Sequence, residues 1–558
     1  MSAHGTMKVS EAVGRALAQW GVDRVFGVAG SGNFEVTTAL VAGGASYVAA
    51  RHEGGATTMA DGYSRLARKV SVVSVHQGPG LTNAMTGIGE AVKARTPLIV
   101  VAGETPRTMK TSNFWIDQAA AAEALGALAF RLESPQTALA DAAQAFLAAR
   151  SGRPVLLGLP LDVQAAEFDW TGSAPALPDA PSPSVASADA VADLASRLAA
   201  AERPLILGGR GALSAHDELI RLAAASGALL ATTAMARGLF NDDPWNLDVM
   251  GGFANAAMAE LIQAADLIVA FGASLNRWTT RNGELVENTT VVQVDTDAAA
   301  FSRHRRVTST VLGDAGLTAD AVAAELASGT LGSAGTPREG FRTQQTARAL
   351  ASGRLWRDQP FEPRVSESRI DPRTLAVALD ELLPSERIVT ADAGSHTEYT
   401  AMYLQVPDDR GFCLPLGFQC IGLALAASIG AAVARPDRLP VTGVGDGGFM
   451  MSLVELDTAV RLGLPMVIVV YNDSAYGAEV HHFGHTGLPL DVVEFPETDI
   501  AAIARGFGCD GITVRSLDDL SGLRQWLEGD RTAPIVIDAK TISFPSWVDA
   551  HAFVGEPK

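Results

Sequence analysis

Short, uniformly apolar runs alternate along this chain with helix-length amphipathic segments, and that alternation limits the fold more than any other feature. Tyr47–Arg51, Val70–Val75 and Leu98–Ala102 are strand-like in the first third. Pro204–Leu207, Ala228–Thr232, Leu267–Phe271 and Thr290–Val294 follow, then Leu439–Val444 and Pro465–Tyr471. Helical patterns lie between them, among others at Gly55–Arg68, Thr82–Ala94 and Leu453–Leu462. A strand with one solvated face alternates apolar and polar residues. These runs do not, so both of their faces are expected to be covered. Parallel sheets with helices on both sides meet that requirement, and the expected class is α/β.

Two stretches rich in Pro, Gly and Ser, Gly172–Ser187 and Ser328–Gly340, have the composition of solvated connections. They divide the 558 residues into three blocks of domain size. The expectation is three doubly wound domains at 1–171, 188–327 and 365–550, the first and last being candidates for one shared topology.

Charge and cysteine content narrow the function. The net charge of −19 excludes a general nucleic-acid binder, which needs a basic footprint. Cys413, Cys420 and Cys509 have no metal-type spacing and read as buried small residues in a reducing cytoplasm. Met1–Gln19 shows no signal-peptide core, and no apolar stretch reaches the length of a membrane span.

Ligands of such sheets bind beyond the carboxyl ends of the strands, so the polar residues that end apolar runs carry the weight. Gly445-Asp446-Gly447-Gly448 ends one run, and the next ends in Asn472-Asp473. If these strands are neighbours, hard oxygen ligands for Mg²⁺ or Ca²⁺ lie side by side, with glycines that admit a phosphate to backbone N–H groups. An Asp-Gly turn beside an Asn-Asp turn is the plainer alternative, and the matched strand ends favour the metal–diphosphate reading. Arg51-His52-Glu53-Gly54-Gly55-Ala56 places a carboxylate where a strand gives way to a helix. Alone, it reads equally as an acid favoured by the helix dipole. His76-Gln77-Gly78-Pro79-Gly80 is a tight loop with an acid/base candidate, or with a structural histidine. Gly27-Val28-Ala29-Gly30-Ser31-Gly32-Asn33 begins like a dinucleotide fingerprint, but Glu35 stands where its third glycine belongs.

Taken together, RHEGGA, the GPG loop and GDG with Asn-Asp one strand later resemble the thiamine diphosphate-dependent decarboxylase and carboligase superfamily. That group includes acetolactate synthase, benzoylformate decarboxylase and pyruvate decarboxylase. The resemblance runs from Val22 to Val536. It implies a pyrimidine-binding, a central and a diphosphate-binding domain, thiamine diphosphate and Mg²⁺ as cofactors, and a homodimer or homotetramer with active sites between chains. A flavin in the central domain, beside Val294-Asp295, is compatible with some relatives and is not predicted.

Carried over by residue, Glu53 matches the glutamate that protonates the aminopyrimidine ring. Asp446, Asp473 and the carbonyl of Ala475 match the metal ligands, with Asp473 where the family usually has asparagine. Gly394, Ser395, His396, Gly445, Gly447, Gly448 and Asn83 match cofactor contacts. Gln419 sits where a carbonyl receives the 4′-amino group, and Ile421 where a bulky residue bends the cofactor. Ser31 and His76 are similar to the serine–histidine pair of benzoylformate decarboxylase, and Glu479 lies near where pyruvate decarboxylase has a catalytic glutamate. Helix capping by Ser31 and a solvated helix face for Glu479 stay as alternatives. Gln77, Glu104, Phe114, Trp115, Trp278, Thr279, His481 and His482 are the candidate substrate pocket.

The stretch His76–Ala102 is closest in style to acetolactate synthase-like proteins. Three departures argue against acetolactate formation itself. Phe114-Trp115-Ile116 replaces Phe-Gln-Glu, and Ala273-Ser274-Leu275-Asn276-Arg277-Trp278 lacks the Asp-Asp-Arg run after Phe271-Gly272. Phe130 or Arg131 stands for a lysine. The resemblance implies decarboxylation of a 2-oxo acid, then protonation, or ligation to an aldehyde or a second 2-oxo acid. The alternatives are a benzoylformate decarboxylase-like, aldehyde-forming lyase and, of another class, a non-catalytic cofactor-binding subunit.

Overall fold

The structure, a computed structural model, describes residues 5–328 and 338–545. Most of the second expected seam, residues 329–337, lies outside the described residues, as do 1–4 and 546–550 of the outer blocks. Three six-stranded sheets organise the chain, and every strand pair within them is parallel. A separate antiparallel pair joins Gly5–Lys8 to Glu167–Trp170. Residues 172–187, the first expected seam, form no helix or strand.

Most of the uniformly apolar runs are inner strands, whereas the run at Tyr47 is the edge strand Ser46–Ala49, only partly covered. Ser71–Val75, Leu98–Glu104, Leu267–Phe271 and Val467–Asn472 are buried nearly throughout. The sequence patterns pass over short edge strands such as Asn246–Val249, Ser309–Leu312 and the two-residue Phe412–Cys413. Too few residues there face the core to make a pattern. The helix expected at Leu453–Leu462 is present as a tight turn, Leu453–Glu455, and the helix Leu456–Arg461. The pattern misses the separate helix Asp446–Ser452 before it. Two glycines in its first turn hide it, because they carry no periodicity and little helix propensity.

Counted within its own parallel sheet, the first block has the strand order 2-1-3-4-6-5, and the last block repeats it. The central block has the order 3-2-1-4-5-6. In each outer sheet the order reverses between the first and third strands, which is where such folds open a ligand crevice. In the central sheet the corresponding loops meet backbone to backbone, Gly209 N–H on Phe271 O at 2.8 Å and Gly211 N–H on Gly272 O at 3.1 Å. The outer blocks join through the helices Glu53–Ala67 and Ala424–Ala434. They cross so closely that a side chain at Gly62 or Gly430 would collide with the facing backbone. No described helix is long and apolar enough to cross a membrane.

Candidate active site

In the last block the crevice at the order reversal is a cleft of about 170 Å³. Ala393, Gly394, Ser395 and His396 line it from the end of the strand Arg387–Ala391. Gly445 to Gly448 line it from the strand Leu439–Gly445 and the helix that follows. Asp473, Ala475 and Glu479 enter from beyond Val467–Asn472, and Ile421 from a loop. These were separate candidates in the sequence, and the fold gathers them. A second cavity, beside Asn241 and Gln405, holds none of the candidates.

Asp446 and Asp473 both line this cleft, and the Asp473 charge acts on the Asp446 carboxyl. Burial, then the neighbouring Asp473 charge, pushes Asp446 up to about 7, and burial pushes Asp473 up to about 6. Asp446 Oδ1 is buried with no hydrogen-bond partner among the described residues. An uncompensated carboxylate oxygen is costly, and a hard cation would satisfy it. Asn472 points away instead, its amide donating to Asp538 Oδ1 at 2.9 Å. Of that pair, therefore, Asp473 alone serves the cleft. His396 is buried, stacks on Tyr471 at 5.9 Å, and is held down to about 3 by burial, so it is neutral at ordinary pH. Its Nε2 likewise lacks a partner among the described residues. The Tyr476 ring lies so close over Gly447 that any side chain there would strike it.

Several lining residues were not candidates: Tyr399, Tyr471, Tyr476, Ile542 and Phe544. The chain returns past the last strand and crosses the cleft. The Ser543 hydroxyl donates to Asp473 Oδ2 at 3.2 Å and also lies 3.3 Å from His481 Nε2. Arg364 and Arg373 stack on the Phe544 ring at 4.5 and 4.1 Å. A polar-aromatic run directly after the last apolar strand was the available signal. His482 lies edge-on to Phe483, next to His481.

A second cluster sits at the corresponding reversal of the first block. Glu53 is half-buried at the start of its helix, and Asn83 Nδ2 donates to Glu53 Oε2 at 3.0 Å. His76 Nδ1 donates to Gln77 O at 2.9 Å, which leaves Nε2 as the acceptor facing the exposed Ser31 hydroxyl at 3.3 Å. Phe114 meets His76 edge-on at 5.0 Å, and Trp115 beside it is exposed. Gln77, by contrast, is buried under Gly32 and Gly103, and Glu104 is paired with Arg131 at 2.8 Å. Asn33 closes the Gly30 turn by accepting its N–H, and Glu35 pairs with Lys8, so the fingerprint-like stretch is a tight loop pressed on Gln77. Trp278 and Thr279 lie in the central block, with Arg277 over the indole at 4.5 Å. None of these residues lines the Asp446 cleft. Gln419 stands at the loop before Ile421 with φ 56.

Buried carboxylates tie the two clusters into the fold. Glu455 accepts the N–H groups of Arg51 and His52 at 3.2 and 3.0 Å, just before Glu53. Nothing in the sequence flags it, because it lies 404 positions from Arg51.

Comparison with known proteins agrees with this arrangement. The N-terminal TPP-binding domain model of the thiamine pyrophosphate enzymes matches residues 7–124, the central domain model 191–322 and the C-terminal TPP-binding domain model 392–539. The chain is 30% identical to an acetolactate synthase large subunit of Parasynechococcus marenigrum, over 99% of this chain and 88% of that one. It is 32% identical to the probable 2-ketoarginine decarboxylase AruI of Pseudomonas aeruginosa, over 93% and 92%. A crystal structure from Mycobacterium smegmatis, provisionally described as a thiamin diphosphate-dependent enzyme, superposes with a TM-score of 0.79 at 24% identity, covering 96% of this chain and all of that one. Three matched domains in order, on the fold built above, place the chain in the thiamine pyrophosphate enzyme family.

Proposed function

We propose that the protein is a thiamine diphosphate- and Mg²⁺-dependent enzyme that decarboxylates a 2-oxo acid and then protonates the product or ligates it to an acceptor carbonyl. The observation that carries this reading is the partnerless buried Oδ1 of Asp446, in a cleft with Asp473 and small residues at a sheet's order reversal. The domain limits 1–171, 188–327 and 365–550 belong to the same proposal, as does a cytoplasmic setting, supported by three free cysteines.

The residues present fit the cofactor. Asp446, Asp473 and the Ala475 carbonyl would hold the cation. Gly394, Ser395, His396, Gly445, Gly447 and Gly448 would face the diphosphate, and Gln419 and Ile421 the rings. When bound, thiamine diphosphate supplies the electron sink for loss of CO₂. Glu53 holds a proton for a ring nitrogen. Asn83 occupies Glu53 Oε2, and Oε1, without a hydrogen-bond partner among the described residues, is left for that contact. Because Glu53 and the Asp446 cleft belong to separate clusters, a second copy of the chain completes each site. Ser31 and His76, with a fixed tautomer, form a proton-transfer pair for the substrate end. Glu479 reaches the same cleft from its own helix.

That hydrogen-bonded pair favours a second reading, an aldehyde-forming lyase without ligation. The likeness to an acetolactate synthase supports ligation. Incubation with thiamine diphosphate, Mg²⁺ and panels of 2-oxo acids, with and without aldehydes, separates them by product identification. Failure to release CO₂ from any 2-oxo acid sinks both.

A further inference from the structure

The loop carrying Gln419 and Ile421 is suspended between two buried carboxylates. On its C-terminal side, Asp392 accepts the N–H groups of Gly422, Leu423 and Ala424 at 2.6, 3.0 and 3.1 Å. On its N-terminal side, Glu90 of the first block accepts Gly417 N–H through Oε1 at 3.0 Å and Phe418 N–H through Oε2 at 2.7 Å. Gln419, Cys420 and Ile421 lie between the anchored amides. Gly417, Phe418 and Gln419 are exposed, and Gln419 occupies the left-handed region at φ 56, which non-glycine residues adopt at a cost. An exposed loop keeps such a conformation only where its flanks are held.

Glu90 is itself fixed from behind. Arg65 Nη2 lies 2.6 Å from Glu90 Oε1 and 2.7 Å from Asp61 Oδ2, while Nη1 donates to Leu414 O at 2.7 Å. Thr96 donates to the other Asp61 oxygen at 2.5 Å. Glu90 and Asp61 are fully buried. A carboxylate needed only to neutralise Arg65 has no reason to offer both oxygens to adjacent amides 327 positions away.

We infer that Glu90 is a positioning residue, holding Gln419 and Ile421 in place for the cofactor through two consecutive backbone N–H groups. The inference rests on the proposed function for the role of that loop. Glu455 makes the reciprocal contact, from the last block to the amides before Glu53.

Calorimetric titration of the full-length protein with thiamine diphosphate and Mg²⁺ tests this, on wild type, Glu90→Gln and Asp61→Asn. A glutamine at 90 keeps one acceptor and turns an NH₂ towards another donor, so one anchor is lost. Glu90→Gln is expected to weaken cofactor binding by about 10- to 100-fold, as loss of supporting hydrogen bonds does at other sites. Asp61→Asn cuts the same ion cluster without touching the loop. It is expected to lower the melting temperature and leave affinity within about three-fold. Wild-type affinity in Glu90→Gln, or equal weakening in both variants, overturns the inference. Should Glu90→Gln fail to fold, amide exchange in the wild type decides: Gly417 and Phe418 are expected to be protected, and exchange at the rate of an exposed loop overturns the inference. A wild type that binds no thiamine diphosphate overturns the proposed function and this inference with it.

Discussion

Asp446 and Asp473 stand just beyond the ends of two hydrogen-bonded parallel strands, with Gly445 paired to Tyr471 as the last step of the register. Without a cation the Asp473 charge adds to burial in raising the cost of ionising Asp446. Replacing Asp446 by alanine removes the partnerless oxygen. The variant is expected to lose thiamine diphosphate affinity in the presence of Mg²⁺ by more than about 100-fold, the upper end of what even supporting residues cost a metal site. Asp473→Asn keeps an oxygen donor and is expected to retain the cofactor. Calorimetry on both variants checks this.

The same pair sets a pH dependence. Asp446 is raised to about 7 and Asp473 to about 6, from an ordinary value of 3.8. The folded protein therefore binds protons that the unfolded chain has released, and stability contributed by these groups falls as pH rises from about 4 to about 7. Without cation, the melting temperature is expected to drop across that window, and Asp446→Asn to flatten the drop. Cation affinity is expected to run the other way, rising with pH as the two protons leave. Thermal melts from pH 4 to 8, with and without Mg²⁺ and thiamine diphosphate, measure both slopes.

Glu53 has one oxygen engaged by Asn83 and, among the described residues, no hydrogen-bond partner on the other. Glu53→Gln preserves the shape and removes the exchangeable proton. Turnover is expected to fall by about 10²- to 10⁴-fold, the range for losing a general acid–base, with cofactor affinity nearly unchanged. Asn83→Ala should cost less, because it frees Glu53 without removing it. Steady-state rates beside cofactor titrations give the comparison, and full activity in Glu53→Gln contradicts the assigned role.

Ser31 and His76 are expected to act as one unit. Their hydrogen bond depends on the tautomer that Gln77 O imposes, so losing either residue leaves the other without its partner. In a double-mutant cycle on kcat/KM, Ser31→Ala and His76→Ala are expected to be non-additive, with a coupling of about 0.5–3 kcal/mol. Additive losses would make them independent contacts.

What the sequence made legible follows from how each feature is encoded. Asp446, Asp473 and Glu53 end local patterns, an apolar run giving way to a polar residue, and the α/β class is written in the same runs. The helix starting at Asp446 was hidden because Gly447 and Gly448 have no periodicity. Tyr476, Ser543 and Phe544 reach the cleft by the path of the chain after the strands. The polar-aromatic run after the last strand marks Ser543 and Phe544 as unusual but does not say where the chain goes. Glu90 and Glu455 were invisible for a related reason: each acts on amides in the other block, and a buried acid in a helix looks the same in sequence whatever it holds.

The division of the site into two clusters gives a test of assembly. If each site takes its cleft from one copy and Glu53 from another, Asp446→Ala and Glu53→Gln damage opposite contributions. A mixed dimer then carries one site with both lesions and one site with neither. Random association of equal amounts makes about half the dimers mixed, so about a quarter of all sites are intact in a two-fold symmetric assembly. Co-expression of the two inactive variants is therefore expected to restore up to about a quarter of wild-type activity. A site built within one chain is damaged in every chain of the mixture and restores nothing, so activity of the co-expressed, tag-separated mixed dimer decides between the two.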